Sequence, residues 1–215
     1  DSGRIGGQFL HGHDVGRRCL AALGVRLGPF DGHHRPQPPR TVRGLFELNR
    51  PVKIDSPHRR PFRHLTVSRH VLEADAVINL PKLKAHQQLV LTAGVKNLFG
   101  VCPGKRKAWW HFRAGYHGND FARMIVETYL AVKPVLTIID AVEGMDGPGP
   151  IRGRPRPVGA MIASPDGFAA ELAACRLIRL EPDWLPLVRA GWEVGAAPRD
   201  AGELEFLGPD PADIA

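Results

Sequence analysis

Residues 74–104 read ADAVINLPKLKAHQQLVLTAGVKNLFGVCPG, and their order decides the fold. ADAVINL is an apolar run of strand length that ends at Pro81. An apolar run without alternation suits a strand buried on both faces, as in a parallel sheet. Lys82, Lys84 and His86 follow at a spacing of two, which in an extended chain points three side chains the same way. Three cationic or ionisable groups then project from the carboxyl end of a central strand, where open α/β sheets bind ligands. A solvated lysine pair would read the same, but Pro81 fixes the chain's exit and the apolar QQLVLTAGVKNLFG follows at once. The spacing predicts a helix there, apolar almost all round. Within it Lys96 must reach water, pair with a carboxylate or face a bound anion, because an unpaired buried ammonium is very costly. Asn97 lies beside it, and Gly94 allows close approach of a backbone or a ligand.

Further along, GVCPGKRKAWWHFRAG makes a turn at Gly100, Pro103 and Gly104 and then sets Lys105, Arg106 and Lys107 beside Trp109 and Trp110. Cations beside aromatics can clamp a planar anion, or form an ordinary exposed loop around a packed Trp. Cys102 reads either as a reactive thiol or as a small packed residue, and lone cysteines are more often the latter. Asp140 ends the apolar strand PVLTIID, a good place for a metal ligand, a base or a partner for Lys96. Glu143 and Asp146 follow in a Gly-rich loop without the spacing of a calcium loop, and no metal ligand is assigned. Arg152, Arg154 and Arg156 alternate with Gly and Pro and could grip carboxylate or phosphate bidentately.

The rest of the chain supplies the frame. A helix is expected near Asp14 to Leu23, stopped by Gly24, with GVRL as a short strand after it. Residues 31–64 are rich in Pro, Arg and His and read as an irregular excursion or strand pair, with TVRGLFEL the one stretch within it that could form a strand. SRHVLEA is one helical turn. Asn119 to Val132 is an amphipathic helix with Phe121, Met124, Ile125, Thr128 and Tyr129 inward. VGAMIAS is a strand, Pro165 to Ile178 and Asp183 to Val194 are helices, and GELEFLG is a last strand. Strands alternating with helices imply an α/β fold with a mostly parallel sheet, flanking helices and three layers, as a single domain over 1–215.

Composition narrows the function class. With 215 residues and 43% hydrophobic content the chain can build one sizeable core. Its formal charge of +7 attracts nucleic acid, anionic membranes or acidic small molecules without choosing among them. No apolar run is long enough to span a bilayer, so no membrane partner is expected. Cys19, Cys102 and Cys175 lie far apart, which argues against a disulfide framework and against an iron–sulfur cluster on the chain's own cysteines. A reducing, cytoplasmic setting follows. The Gly-rich start around Asp1-Ser2-Gly3 lacks a full phosphate-loop pattern, and the histidines at 11, 13, 33, 34, 58, 64 and 70 read as surface residues. Without an initiator Met, the chain is expected to start inside a longer parent.

The strings ADAVINLPKLKAHQQLVLTAGVKNLFGVCPGKRKAWWHFRAG, LTIIDAVEGMDGPGPIRGRPRPVGAMIASPD and AAELAACRLIRL resemble, in order, the signature of the proteins grouped as domain of unknown function 362. The resemblance covers most of Leu65 to Ala215. It implies a pocket of Lys82, Lys84, His86, Lys96, Asn97, Lys105, Asp140 and Glu143. Full members carry a further N-terminal segment that this chain is expected to lack. Many also carry a ferredoxin-like module, which implies a ferredoxin-type electron donor as a partner. The resemblance names no cofactor and no settled activity, and its likeness to the N-terminal domain of nickel-dependent lactate racemases is fold-level analogy only. The expected catalytic residues are His86, Asp140 and Glu143; the expected ligand-binding residues are Lys82, Lys84, Lys96, Asn97, Lys105 and Arg152. The leading expectation is an enzyme domain for an anionic small molecule, a carboxylate or phosphate. A nucleic-acid-binding module or an inactive scaffold are the alternatives.

Overall fold

The computed structural model describes residues 18–22, 48, 50–59, 62–104, 106–114 and 118–214. In chain order the elements are β1 (Arg18–Ala22), β2 (Pro51–Asp55), β3 (His64–Ser68), α1 (Arg69–Leu72), β4 (Ile78–Asn79), β5 (Lys82–His86) and β6 (Val90–Thr92). Then come α2 (Arg106–Ala114), α3 (Gly118–Val132), β7 (Leu136–Asp146), β8 (Arg154–Ser164), α4 (Gly167–Leu177), α5 (Pro186–Glu193) and β9 (Glu205–Phe206).

The expected α/β fold with flanking helices holds. The main sheet runs β6-β5-β7-β8-β1-β9, with β4 also on β7. Parallel pairing holds where the signature segment meets the sheet: β4 and β5 both run parallel to β7. β1 and β9 are parallel as well, whereas β5–β6, β7–β8 and β1–β8 are antiparallel, which makes the sheet mixed. The connection from β7 to β8 is short, so the chain turns back instead of crossing over through a helix.

Pro81 explains why the first strand is broken. Lacking an N–H, it cannot donate to the ladder. Its carbonyl still accepts the Asp140 N–H at 2.8 Å, so β4 and β5 lie along one edge of β7 with a gap between them. ADAVINL is therefore shorter as a strand than expected, and it is not buried on both faces: Leu80 is 66% exposed. Opposite, the β7–β8 register shifts between Ala141 and Glu143, and Gly159 at φ +77° takes up the extra residue.

One face of the sheet packs on α4. Ile139 and Ala141 of β7, Ala160 and Ile162 of β8 and Leu83 of β5 share a core with Ala169, Leu172 and Ala173. A second core gathers α3 around Phe121, Met124 and Ile125, with Leu65 and Val67 of β3 and Leu98 and Phe99. Phe121, Met124, Ile125, Thr128 and Tyr129 are all buried, as the amphipathic pattern required.

Four expectations need correction. The residues read as part of a helix at 14–23 include the strand β1, which pairs with β8 and β9; a short apolar run pays helix nucleation alone, and an open sheet edge outcompetes it. QQLVLTAGVKNLFG is not a helix but β6 followed by a 3-10 helix, Lys96–Val101. It is apolar all round because it lies between two cores: Leu91 and Ala93 join the first, and Leu89, Val95, Leu98 and Phe99 join the second. The helix expected from Asp183 to Val194 splits at Pro186 into a 3-10 turn, Pro182–Trp184, and α5. A strand pair does form near the 31–64 excursion, β2–β3, but β2 lies in NRPVKIDSPHRRPFRH, where no strand was expected. The Asp1-Ser2-Gly3 loop, GVRL and most of TVRGLFEL lie outside the described residues.

The crossing of the signature segment over α4 is tight. A Cβ on Gly94 would stand 2.6 Å from the Gly167 carbonyl oxygen, and one on Gly167 would stand 2.6 Å from the Tyr129 ring. Gly94→Ala is expected to cost about 1–3 kcal/mol in urea unfolding. Gly100→Ala, with nothing within 4 Å of its new Cβ, should cost far less. Equal effects would mean that the close approach at Gly94 does not constrain the fold.

Candidate functional site

The site is built where the segment after β6 passes over the start of α4 at Gly94 and Gly167. Asn79 is buried at the end of β4, and its side chain ties the pieces together. Its Nδ2 donates to the Gly94 carbonyl at 2.6 Å and to Thr137 Oγ1 at 3.3 Å. Its Oδ1 accepts from Asn97 Nδ2 at 2.9 Å. Asn97, expected to bind ligand, therefore spends part of its amide on holding the 3-10 turn in place.

Below that turn lies Glu171 of α4, fully buried. Its Oε2 accepts the Val95 N–H at 2.9 Å, and the Gly94 N–H also bonds to the carboxyl group. Its Oε1 has no hydrogen-bond partner among the described residues. Burial pushes Glu171 up to about 7, and the two backbone N–H bonds and the charge of Lys96 only partly offset it. Lys96, the residue after Val95, is pushed down to about 8. Desolvation is the main cause; Glu171 opposes it, while the like charges of Lys107 and Lys84 add to it. Lys84 and Lys107 are thus each within electrostatic reach of Lys96, although Lys107 lies on α2, outside the strand.

Lys82 is placed differently. Its Nζ lies 2.9 Å from Asp140 Oδ2. The other carboxylate oxygen accepts the Val142 N–H at 3.1 Å. The side chains are 39% and 48% exposed, so the pair contributes about 1 kcal/mol or less to stability. Asp140 was considered as a partner for Lys96; its ion pair is with Lys82, and the buried carboxylate coupled to Lys96 is Glu171.

The remaining candidates lie apart from this cluster or have other work. His86 is buried, and its Nδ1 accepts the N–H groups of Gln88 and Leu89, both at 3.2 Å, which closes the β5–β6 turn. Glu143 is exposed, opposite Pro157 in the register. Arg152 is exposed in the turn between β7 and β8. Lys105 lies outside the described residues. A cleft of about 680 Å³ opens beside Lys84, with Arg156 and Arg179 at its polar side and Leu83, Leu91 and Leu177 at its apolar side. Cys102 and Cys175 are buried, Cys102 within the α3 core, so the packed reading describes Cys102. Among the described residues no group of three or more His, Cys, Asp or Glu side chains could hold a metal.

Two features escaped the sequence. Glu171 was hidden in AAELAACRL, where one acid in an Ala-rich helix was the available signal. His58, read as a surface residue, has its Nδ1 2.7 Å from Oε1 of the buried Glu127, which also accepts from Ser56 Oγ and the His58 N–H. That carboxylate ties the loop after β2 to α3.

Residues 41–176 match the family described as Domain of unknown function (DUF362). The chain is also 48% identical over 145 residues to the thylakoid-associated protein sll1697 of Synechocystis sp. (strain ATCC 27184 / PCC 6803 / Kazusa), an alignment that covers 67% of this chain and 45% of that protein. The chain thus spans less than half the length of that relative. No solved structure matches.

The two shifted groups predict a shape for stability against pH. Glu171 binds its proton more tightly folded than unfolded, so its contribution falls as pH rises from about 4.5 through about 7. Lys96 releases its proton more readily when folded, so its contribution rises from about 8 towards 10.5. Glu171→Gln should abolish the falling limb: urea unfolding should give similar stabilities at pH 5 and a variant more stable than wild type by a few kcal/mol at pH 8. A wild type that stays level with the variant at pH 8 would contradict the assignment.

Proposed function

The chain belongs to the domain of unknown function 362 family, and we propose that its signature segment is the receptor site for a small anion, a carboxylate or phosphate, in an enzyme domain. One observation carries this reading. Lys96, at the edge of a buried turn, is repelled by both Lys84 and Lys107, and a single coupled carboxylate, Glu171, opposes them. No ion pair joins these three lysines to an acid among the described residues. A fold that gathers cations at this cost gains most from an external anion, which offsets the mutual repulsion and the desolvation of Lys96 together.

In this reading Lys84 and Lys96 grip the anion; Arg156 lines the cleft beside Lys84, and Lys96 is not among the residues that line it. Asn97 orients the turn through Asn79. Proton movement falls to Asp140, half-exposed beside Lys82 in the middle of β7, which runs on to Asp146 instead of ending at Asp140 as expected. His86 would act only through Nε2, since Nδ1 already accepts two N–H groups. Glu143 and Arg152 would serve as an exposed rim. In this reading a ferredoxin-type donor supplies the electrons of any redox step.

For location, the first choice is the cytoplasm, from the wide spacing of the cysteines. No helix among the described residues is long and apolar enough to cross a membrane. The relative's thylakoid association makes a membrane face the second place to look. Trp109 and the 74% exposed Phe112 on α2, with Lys107 on the same helix, supply aromatic and cationic groups of the kind that meet a headgroup layer.

The test is calorimetric titration with oxalate and sulfate, beside a short single-stranded oligonucleotide. Wild type should bind a small dianion, and the Lys84→Met/Lys96→Met double variant should bind it roughly 100-fold more weakly while keeping its circular dichroism, since each charge-assisted bond contributes about 1.5–3 kcal/mol. Undiminished binding by the folded double variant would place the site elsewhere. Tight oligonucleotide binding that collapses with salt, and none of the dianions, would favour a nucleic-acid-binding module instead.

A further inference from the structure

Glu171 has no part in gripping the anion, yet it is the fully buried acid closest in structure to the turn that does. Its Oε2 is fixed by the Val95 N–H, and Lys96 is the next residue along the chain. Its Oε1 is buried without a hydrogen-bond partner among the described residues. The charged form of that carboxylate is held first by the Val95 and Gly94 N–H groups and then by the positive charge of Lys96, which together only partly offset its burial.

An anion arriving at Lys96 disturbs this arrangement. The ammonium gains an external counter-charge, and the carboxylate gains a second negative charge as its neighbour, in a region where charges interact strongly. The cheapest relief is a proton on Glu171, taken from solvent. We propose that anion binding at Lys96 is coupled to protonation of Glu171, so that the site takes up a proton together with its ligand. This rests on the anion site proposed above and adds its regulation: the site captures anions at lower pH and releases them as pH rises.

The groups around the pair fit this role. Tyr129 and Cys175, which also interact with Glu171, are both pushed to higher values by burial and stay neutral through the range concerned. Lys84 and Lys107 add positive charge on the ligand side. Glu171 itself sits at about 7 and Lys96 at about 8, so the coupling falls near neutrality. Glutamine at 171 mimics the protonated acid and should remove the coupling.

Sulfate is the probe, since it remains a dianion throughout the range and cannot itself take up the proton. Titrations at constant ionic strength at pH 6 and pH 8 are expected to show similar affinities for wild type and Glu171→Gln at pH 6, and a variant about tenfold tighter than wild type at pH 8, the factor set by one unit above a value near 7. Wild type titrated in weakly buffered solution at pH 7.5 should take up more than half a proton per sulfate bound; this second measurement does not depend on the variant folding. Identical pH profiles for the two proteins, or sulfate binding with no proton uptake, would overturn the coupling while leaving the anion site intact. Failure of wild type to bind sulfate or oxalate even at pH 6 would overturn both.

Discussion

An acid with no access to water, Glu171, lies beneath the turn formed by Gly94, Val95 and Lys96, and the local structure is arranged around keeping it there. The carboxyl group orders the turn by taking up its N–H groups. Asn79 takes up the opposite side of the same turn through the Gly94 carbonyl. The approach is close enough that Gly94 and Gly167 cannot carry side chains without displacing a carbonyl or the Tyr129 ring. Tyr129 in turn accepts the Gly167 N–H at 2.7 Å, so α3, α4 and the signature segment meet at one point. A buried acid costs several kcal/mol unless a charge or a proton answers it. Lys96 supplies the charge, at the cost of its own desolvation.

Electrostatics then separate two kinds of lysine within a few residues. Lys82 has Asp140 at 2.9 Å and is half in water, so its charge is settled cheaply. Lys96 is set against Lys84 and Lys107 and shares its one coupled acid with the backbone. The first arrangement is a surface ion pair of small worth. The second is a charged site under strain, and strain of this kind is common where a ligand completes the arrangement.

Much of this was legible in the sequence. The demand that Lys96 reach water, pair with a carboxylate or face an anion followed from an ammonium in an apolar run; Val95 and Leu98 beside it are buried and Lys96 itself is half-buried. The identity of the acid was not legible, because Glu171 is remote in sequence and a lone Glu in AAELAACRL reads as a solvent-facing helical position. The conformation of residues 87–100 was misread for a related reason. A run can be apolar on all sides because it is a helix in a core or because it is a strand and turn between two cores, and periodicity alone does not separate them. Gly94 in the middle was the available hint. The mixed pairing of the sheet was likewise outside the reach of local pattern, since it depends on β7 and β8 forming one long hairpin. What local pattern did fix well were the elements with one clear face, above all α3.

The central claim is that Lys84 and Lys96 share one external anion. Anomalous diffraction from crystals of the chain soaked in sodium selenate, an isostere of sulfate, tests it most directly. The account predicts a selenium peak within hydrogen-bond reach of the Lys84 and Lys96 ammonium groups at pH 6, weakening in crystals held at pH 8. Selenium peaks at Arg152, Arg154 and Arg156 with none at Lys96 would contradict it.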